Sequence, residues 1–254
     1  MIPIFFLAAA LTDISGNAAR VAACQKLIAS DPKAAVDQAT AWAERDKSVP
    51  SRQCLGLAFV GMERWAPAEA ALAQAAAQAE ADHDGRSLSL WSQAANAALA
   101  GDQPAKARED LDHVVAAPGV PATLGGEAWV DRARADVALD DLAQARIDMN
   151  KGLALVPQDP FAWYLSASLA RRQNDLVRAQ KDIAVALKSA ADDPSVQLEA
   201  GNIYAAAGQP DAAHAAWTRT AQLAPDTPEG QAAKAALAAP KWASPTRTRA
   251  LDLE

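Results

Sequence analysis

Residues 126–227 read GEAWVDRARADVALDDLAQARIDMNKGLALVPQD, PFAWYLSASLARRQNDLVRAQKDIAVALKSAADD and PSVQLEAGNIYAAAGQPDAAHAAWTRTAQLAPDT, three consecutive blocks of 34 residues with none inserted. Set one under another as 126–159, 160–193 and 194–227, the blocks repeat residue types column by column. Column 8 holds Ala133, Ala167 and Gly201; column 20 holds Ala145, Ala179 and Ala213. Column 24 holds Met149, Ile183 and Trp217, and column 32 holds Pro157, Ala191 and Pro225. A fixed period of this length, with small residues where two helices must touch, is the mark of a stacked helical array.

Each block reads as two antiparallel helices. Asp159-Pro160, Asp193-Pro194 and Thr227-Pro228 put an acceptor side chain at a helix N-cap and a proline just inside, where its missing N–H costs nothing. Pro67, Pro104 and Pro210 mark the starts of second helices, and Asn174-Asp175 and Gly208 suit the turns between helices. A bulky side chain at Gly201 would overpack its helix contact, at roughly 1–3 kcal/mol. Trp163 and Trp217 are expected to be mostly buried. No helix pair of this kind buries its apolar face alone, so the pairs must stack and the last must be capped. Residues 228–238 supply an amphipathic cap, and 240–254 lack an apolar period and read as a tail.

The blocks resemble the tetratricopeptide repeat (TPR) family, whose pattern sets Trp at column 4, Leu-Gly at 7–8, Tyr at 11, Ala at 20, a large apolar residue at 24, Ala at 27 and Pro at 32. Block 194–227 matches with Gly201, Tyr204, Ala213, Trp217 and Pro225, and departs at Gln197 and Thr220. Block 160–193 matches with Trp163, Ala167, Ala179, Ile183 and Ala186; block 126–159 matches with Trp129, Ala133, Ala145 and Pro157. Weaker copies cover 88–121 (Trp91, Ala95, Ala107, Leu111) and 49–82 (Leu55-Gly56, Phe59, Ala68, Leu72), with a degenerate first unit over about 20–47. The resemblance implies an all-α solenoid of about six helix pairs over 20–239; residues 1–19, outside it, read as a signal peptide and leader.

The chain of 254 residues carries a net charge of −7 and is 51% hydrophobic, the balance of a folded domain. The acidic balance argues against a nucleic-acid partner, which needs a basic face. The apolar run Ile2–Leu11 is too short to span a bilayer as a helix. It fits a signal-peptide core followed by small residues, and so export to a periplasmic or similar compartment, although no Lys or Arg precedes it. The alternatives are a mis-assigned start or an apolar segment packed on the first repeat, with a cytoplasmic location. Val21-Ala22-Ala23-Cys24 mimics a lipobox, but Thr12–Arg20 separates it from the apolar run.

Cys24 and Cys54, the two cysteines, fall in the first helices of adjacent units, which the resemblance sets side by side. They are either a disulfide, which export would permit, or two buried thiols acting as small hydrophobes.

Nothing in the sequence converges on catalysis or a cofactor. His83, His113 and His214 lie in different repeats without metal-ligand spacing, and Walker, GxGxxG and GxSxG motifs are missing. The acidic residues read as scattered over solvent faces, with Asp140-Asp141 and Asp192-Asp193 at turns and helix starts.

In proteins of the resembling family, columns 2, 5, 9, 12 and 13 of first helices line a concave groove. Here they bring up Arg134 from one block, Phe161, Tyr164, Arg171 and Arg172 from the next, and Asn202 from the last. Tyr and Arg are common interface anchors, and Arg suits a carboxylate by bidentate hydrogen bonding. These residues are therefore the expected peptide-binding set, for a protein segment bearing acidic or C-terminal carboxylate groups. Arg171 and Arg172 could instead only complement the C-terminal end of their helix. The expected function is a non-enzymatic adaptor. The alternatives are an oligomeric envelope scaffold joined through solenoid ends or sides, and an enzyme with a site in the groove.

Overall fold

A computed structural model describes residues 5–239, with side chains described from residue 17. Within it the chain divides into two compact units, Met1–Pro157 and Gln158–Glu254. The first unit contains α1 (Phe5–Ser30), α2 (Pro32–Asp46), α3 (Val49–Gly61), α4 (Trp65–Ala81), α5 (Ser87–Ala100), α6 (Pro104–Val115), α7 (Ala122–Ala138) and α8 (Leu142–Leu155). The second contains α9 (Pro160–Arg172), α10 (Leu176–Ser189), α11 (Pro194–Ala206), α12 (Pro210–Leu223) and α13 (Pro228–Ala238). No strand occurs among the described residues. Each helix packs on the next within its unit, and α5 also touches α7, α9 touches α11, and α11 touches α13. This is the stacked antiparallel-pair architecture of an α-solenoid.

The helix starts follow the side chains that satisfy orphan N–H groups. Asp159 accepts from the Phe161 N–H at 2.9 Å, and Asp193 from Ser195 and Val196 at 2.8 and 3.1 Å. Thr227 Oγ1 accepts from Gly230 at 3.3 Å. Each proline follows inside the first turn, as the N-cap rule requires.

The turn inside each pair is also a repeated object. Column 15 has positive φ in five blocks, at Glu63, Asp102, Asp140, Asn174 and Gly208. The following N–H reaches back five residues to a carbonyl, from Arg64, Gln103, Asp141, Asp175 and Gln209, at 2.8–2.9 Å. That bond closes a Schellman-type helix end, which requires a left-handed residue. Gly208 takes that conformation without Cβ strain, whereas the other four blocks bear it in residues with side chains.

Small columns let the helices approach. A Cβ on Gly201 would overlap the indole of Trp217, and one on Gly56 would overlap Leu72. Ala133, Ala145, Ala167, Ala179 and Ala213 are buried. Trp163 and Trp217 are mostly but not fully buried. Trp217 lies across Gly201, and its Nε1 donates to Asn202 at 3.2 Å, so the ring keeps one edge at the surface. Met149 and Ile183, in the same column as Trp217, are fully buried.

The carboxylates depart further from the sequence reading. Glu69, Asp110, Asp136, Asp148, Asp182 and Glu199 are buried rather than spread over solvent faces. Cys24 of α1 and Cys54 of α3 are joined as a disulfide with Cα atoms 6.1 Å apart, and both pack against Ala35, Ala39, Trp42 and Ala58. The backbone of α1 is helical without a break at residue 19. The side chains of Ile2–Leu11 and the whole of 240–254 lie outside the described residues.

Candidate functional site

The second unit holds most of the residues expected in the groove. Phe161, at the second position of α9, is 49% exposed. Its ring lies 5.9 Å from that of Tyr164, one helical turn on, tilted by 31°. The i, i+3 spacing produces this pairing, because it sets both rings on one helix face. Arg172 is exposed at the end of α9.

Arg171 is placed differently from a free carboxylate receptor. Its Nε donates to Glu199 Oε1 at 2.7 Å and its Nη2 to Oε2 at 3.1 Å, a two-pronged bridge from α9 to α11. Glu199 is 6% exposed. The bridge satisfies a buried carboxylate that would otherwise be costly. Asn202 joins the same network: its Oδ1 accepts from Trp217, and its Nδ2 lies 3.5 Å from Glu199. Arg171 and Asn202 thus hold helices together. Arg134 belongs to the first unit, where its Nη1 donates to Asp131 at 2.7 Å.

The charges around Tyr164 are mostly negative. Its hydroxyl is pushed toward higher pKa first by burial, then by the carboxylates of Glu199, Asp193 and Glu229, with Arg171 opposing. Of these acids, Glu199 and Asp193 stand outside the groove columns of the sequence pattern, and Glu229 falls at column 2 of the capping helix. Glu199 could have been suspected, as a lone charge between Leu198 and Ala200 in an apolar helix.

A second constellation recurs along the chain. Column 23 is Asp in three blocks: Asp110, Asp148 and Asp182. Asp148 accepts from Arg132 at 2.6 Å and Gln144 at 2.8 Å. Asp182 accepts from Ser166 at 2.6 Å and Arg178 at 3.1 Å. The donors come from column 7 of the first helix and column 19 of the second. In the block 88–121 column 7 is Ala94, and the column 19 residue, Lys106, reaches Glu69 at 2.8 Å instead. Asp110 Oδ2 is left without a hydrogen-bond partner, and burial together with the charges of Glu69 and Glu109 pushes its pKa up to about 7. Asp136 lies near Asp148 and 3.5 Å from Arg108, and its pKa is raised to about 6 by burial and the Asp148 charge. The column was visible in the aligned blocks; that its members face inward was not.

Of the histidines, His113 stacks on Trp91 with ring centroids 4.0 Å apart, beside Glu80 at 3.4 Å. Among the described residues no group of His, Cys, Asp and Glu is placed to hold a metal ion.

No family model matches the sequence, and neither does any curated protein. Solved structures do match. PilF of Pseudomonas aeruginosa is 15% identical with a TM-score of 0.67, covering 87% of this chain and 98% of its own. PilW, a widely conserved type IV pilus biogenesis factor, is 16% identical with a TM-score of 0.69, covering 85% of this chain and 96% of its own. YrrB, a TPR protein with an unusual peptide-binding site, is 15% identical with a TM-score of 0.52, covering 78% and 97%. The chain has the tetratricopeptide-repeat fold. No helix among the described residues is long and apolar enough to cross a membrane.

Proposed function

We propose that the protein is a non-enzymatic adaptor that holds an extended segment of a partner protein against the first helices of its second unit, α9 and α11. The observation that carries this reading is the Phe161–Tyr164 pair: a large aromatic side chain half exposed beside a second ring, on the helix face that the repeat pattern assigns to the groove. An aromatic anchor on a rigid helix loses little conformational freedom on binding. Arg172 adds an exposed cation at the far end of α9. Arg171 and Asn202 support the surface from within through Glu199 and Trp217.

We further infer an envelope location. The apolar run Ile2–Leu11 fits an export signal, and the joined Cys24 and Cys54 fit an oxidising compartment. The structurally similar PilW is itself a pilus biogenesis factor.

Site-specific photocrosslinking tests the adaptor reading. A photoreactive phenylalanine analogue at position 161 should capture a different protein in the native host, while the same group at Val177, 82% exposed on α10, should not. Capture of a second copy of this chain from Val177 and nothing from position 161 would favour the scaffold instead.

A further inference from the structure

The first unit contains a polar cleft of about 600 Å³, within the size range of small-molecule sites. Residues of the α2–α3 turn and of the α4–α5 turn line it, together with Asn17 of α1. Three aspartates and three cations face this cleft, and they are engaged unequally. Both oxygens of each aspartate already accept a hydrogen bond. Asp46 accepts from the Trp42 indole and the Ser48 N–H. Asp82 accepts from Gln78 Nε2 at 2.9 Å on both oxygens. Asp84 accepts from the backbone and side chain of Arg86 at 2.6–3.1 Å, which also occupies that cation. Arg52, half-buried one turn into α3, touches only the neutral Gln78 Oε1, at 3.5 Å. Lys47, exposed at the left-handed end of α2, has no side-chain partner among the described residues. A guanidinium carries five N–H donors. The cleft therefore has donors in surplus, while each of its carboxylates is already engaged.

We propose that this cleft binds a small polar carboxylate, held by Arg52 and Lys47. The planar fork of Arg52 matches a carboxylate through two parallel hydrogen bonds. Lys47 adds a second positive charge, and α3 starts on the same wall, so its positive end also favours an anion. The ligand is small and polar, because Val49 and Pro50 are the only apolar residues in the lining. The second negative charge of a phosphate would meet three aspartates, which favours the singly charged carboxylate group. Arg171 could not serve in this way, since its donors are tied to Glu199. The site belongs to the first unit and does not depend on the reading of α9 and α11 as a binding surface.

The test titrates the full chain with succinate, its neutral isostere succinamide, and phosphate, by calorimetry in a low-salt buffer free of carboxylates. Succinate should bind about tenfold or more tightly than either of the others. In nuclear magnetic resonance spectra of the wild type, succinate should shift the backbone amides of 46–52 and 82–87. Arg52→Gln should weaken succinate binding by about tenfold. Arg52→Lys, which keeps the charge but loses the fork, should weaken it by less. Lys47→Gln should cost about two- to threefold, as an exposed charge does. Lys188→Gln, at an exposed cation of α10, should change nothing. Melting curves establish that each variant is folded. Absence of succinate binding, equal affinity for succinamide or phosphate, or indifference to Arg52→Gln overturns the proposal. So do amide shifts confined to other residues, a result that needs no variant. A Gly-Ser hexapeptide with a free or an amidated C-terminus then separates the sources of the carboxylate. Tighter binding of the free-acid peptide than of succinate assigns the site to a chain terminus, and weaker binding assigns it to a free small acid.

Discussion

Asp110→Asn should make the protein more stable at pH 8 and flatten its pH dependence. The native carboxyl of Asp110 ionises near pH 7, whereas an unfolded aspartate ionises near 3.8. Because the folded pKa is raised, the native state binds the proton more tightly than the unfolded state does. Stability is therefore greatest below about pH 4, falls as pH rises through the interval from 3.8 to about 7, and is level above it. A difference of about 3 pH units is worth ~4 kcal/mol at 1.36 kcal/mol per unit. Solvent screening near the half-exposed Lys106 reduces this to about 2 kcal/mol. An amide at position 110 removes the ionisation but buries a donor group, at a cost of about 1 kcal/mol. The net expectation at pH 8 is a gain of about 1 kcal/mol, with the wild type overtaking the variant near pH 5. Asp136, with its own pKa near 6, contributes equally to both proteins and cancels in the comparison. Urea titrations of the full chain at pH 5, 6, 7 and 8 read the difference. Because stacked repeats need not unfold in one step, hydrogen exchange of the α6 amides should accompany them. Lower stability of the Asp110→Asn variant at pH 8, with an unchanged slope against pH, would refute the reasoning: Asp110 would then be ionised and satisfied.

Ala94→Ser puts a hydroxyl in the column from which Ser166 donates to Asp182, so it should supply Asp110 with a donor and raise stability at pH 8 by roughly 1 kcal/mol, read from the same urea titrations. Arg171→Ala strips the partner from buried Glu199, and the melting temperature of the full chain should fall by an amount corresponding to about 2–3 kcal/mol, short of the full penalty for a buried pair because Arg171 is partly exposed; an unchanged melting temperature would mean that the bridge is ornamental. Cys54→Ser opens a loop with a sequence separation of 30 and should cost about 3–4 kcal/mol by chain entropy, an effect that reductant should reproduce in the wild type.

The sequence alone determined the architecture because repetition made each local signal count several times. One Asp-Pro dipeptide says little, but Asp159-Pro160 and Asp193-Pro194 at the same column specify helix starts that the structure reproduces. The small columns likewise marked where helices approach, since a larger side chain at Gly201 has no room beside Trp217. The groove columns brought Phe161 and Tyr164 together, because periodicity along one helix is enough to pair residues one turn apart. The pattern could not tell which charges face each other across helices. Arg171 read as a free cation until α11 brought Glu199 to within 2.7 Å, and Asp110, Asp148 and Asp182 read as surface acids until packing enclosed them. Direction and burial depend on how neighbouring pairs stack, and so do the partners a charge finds. A helical period fixes which residues share a face, and only the tertiary contacts decide what that face meets.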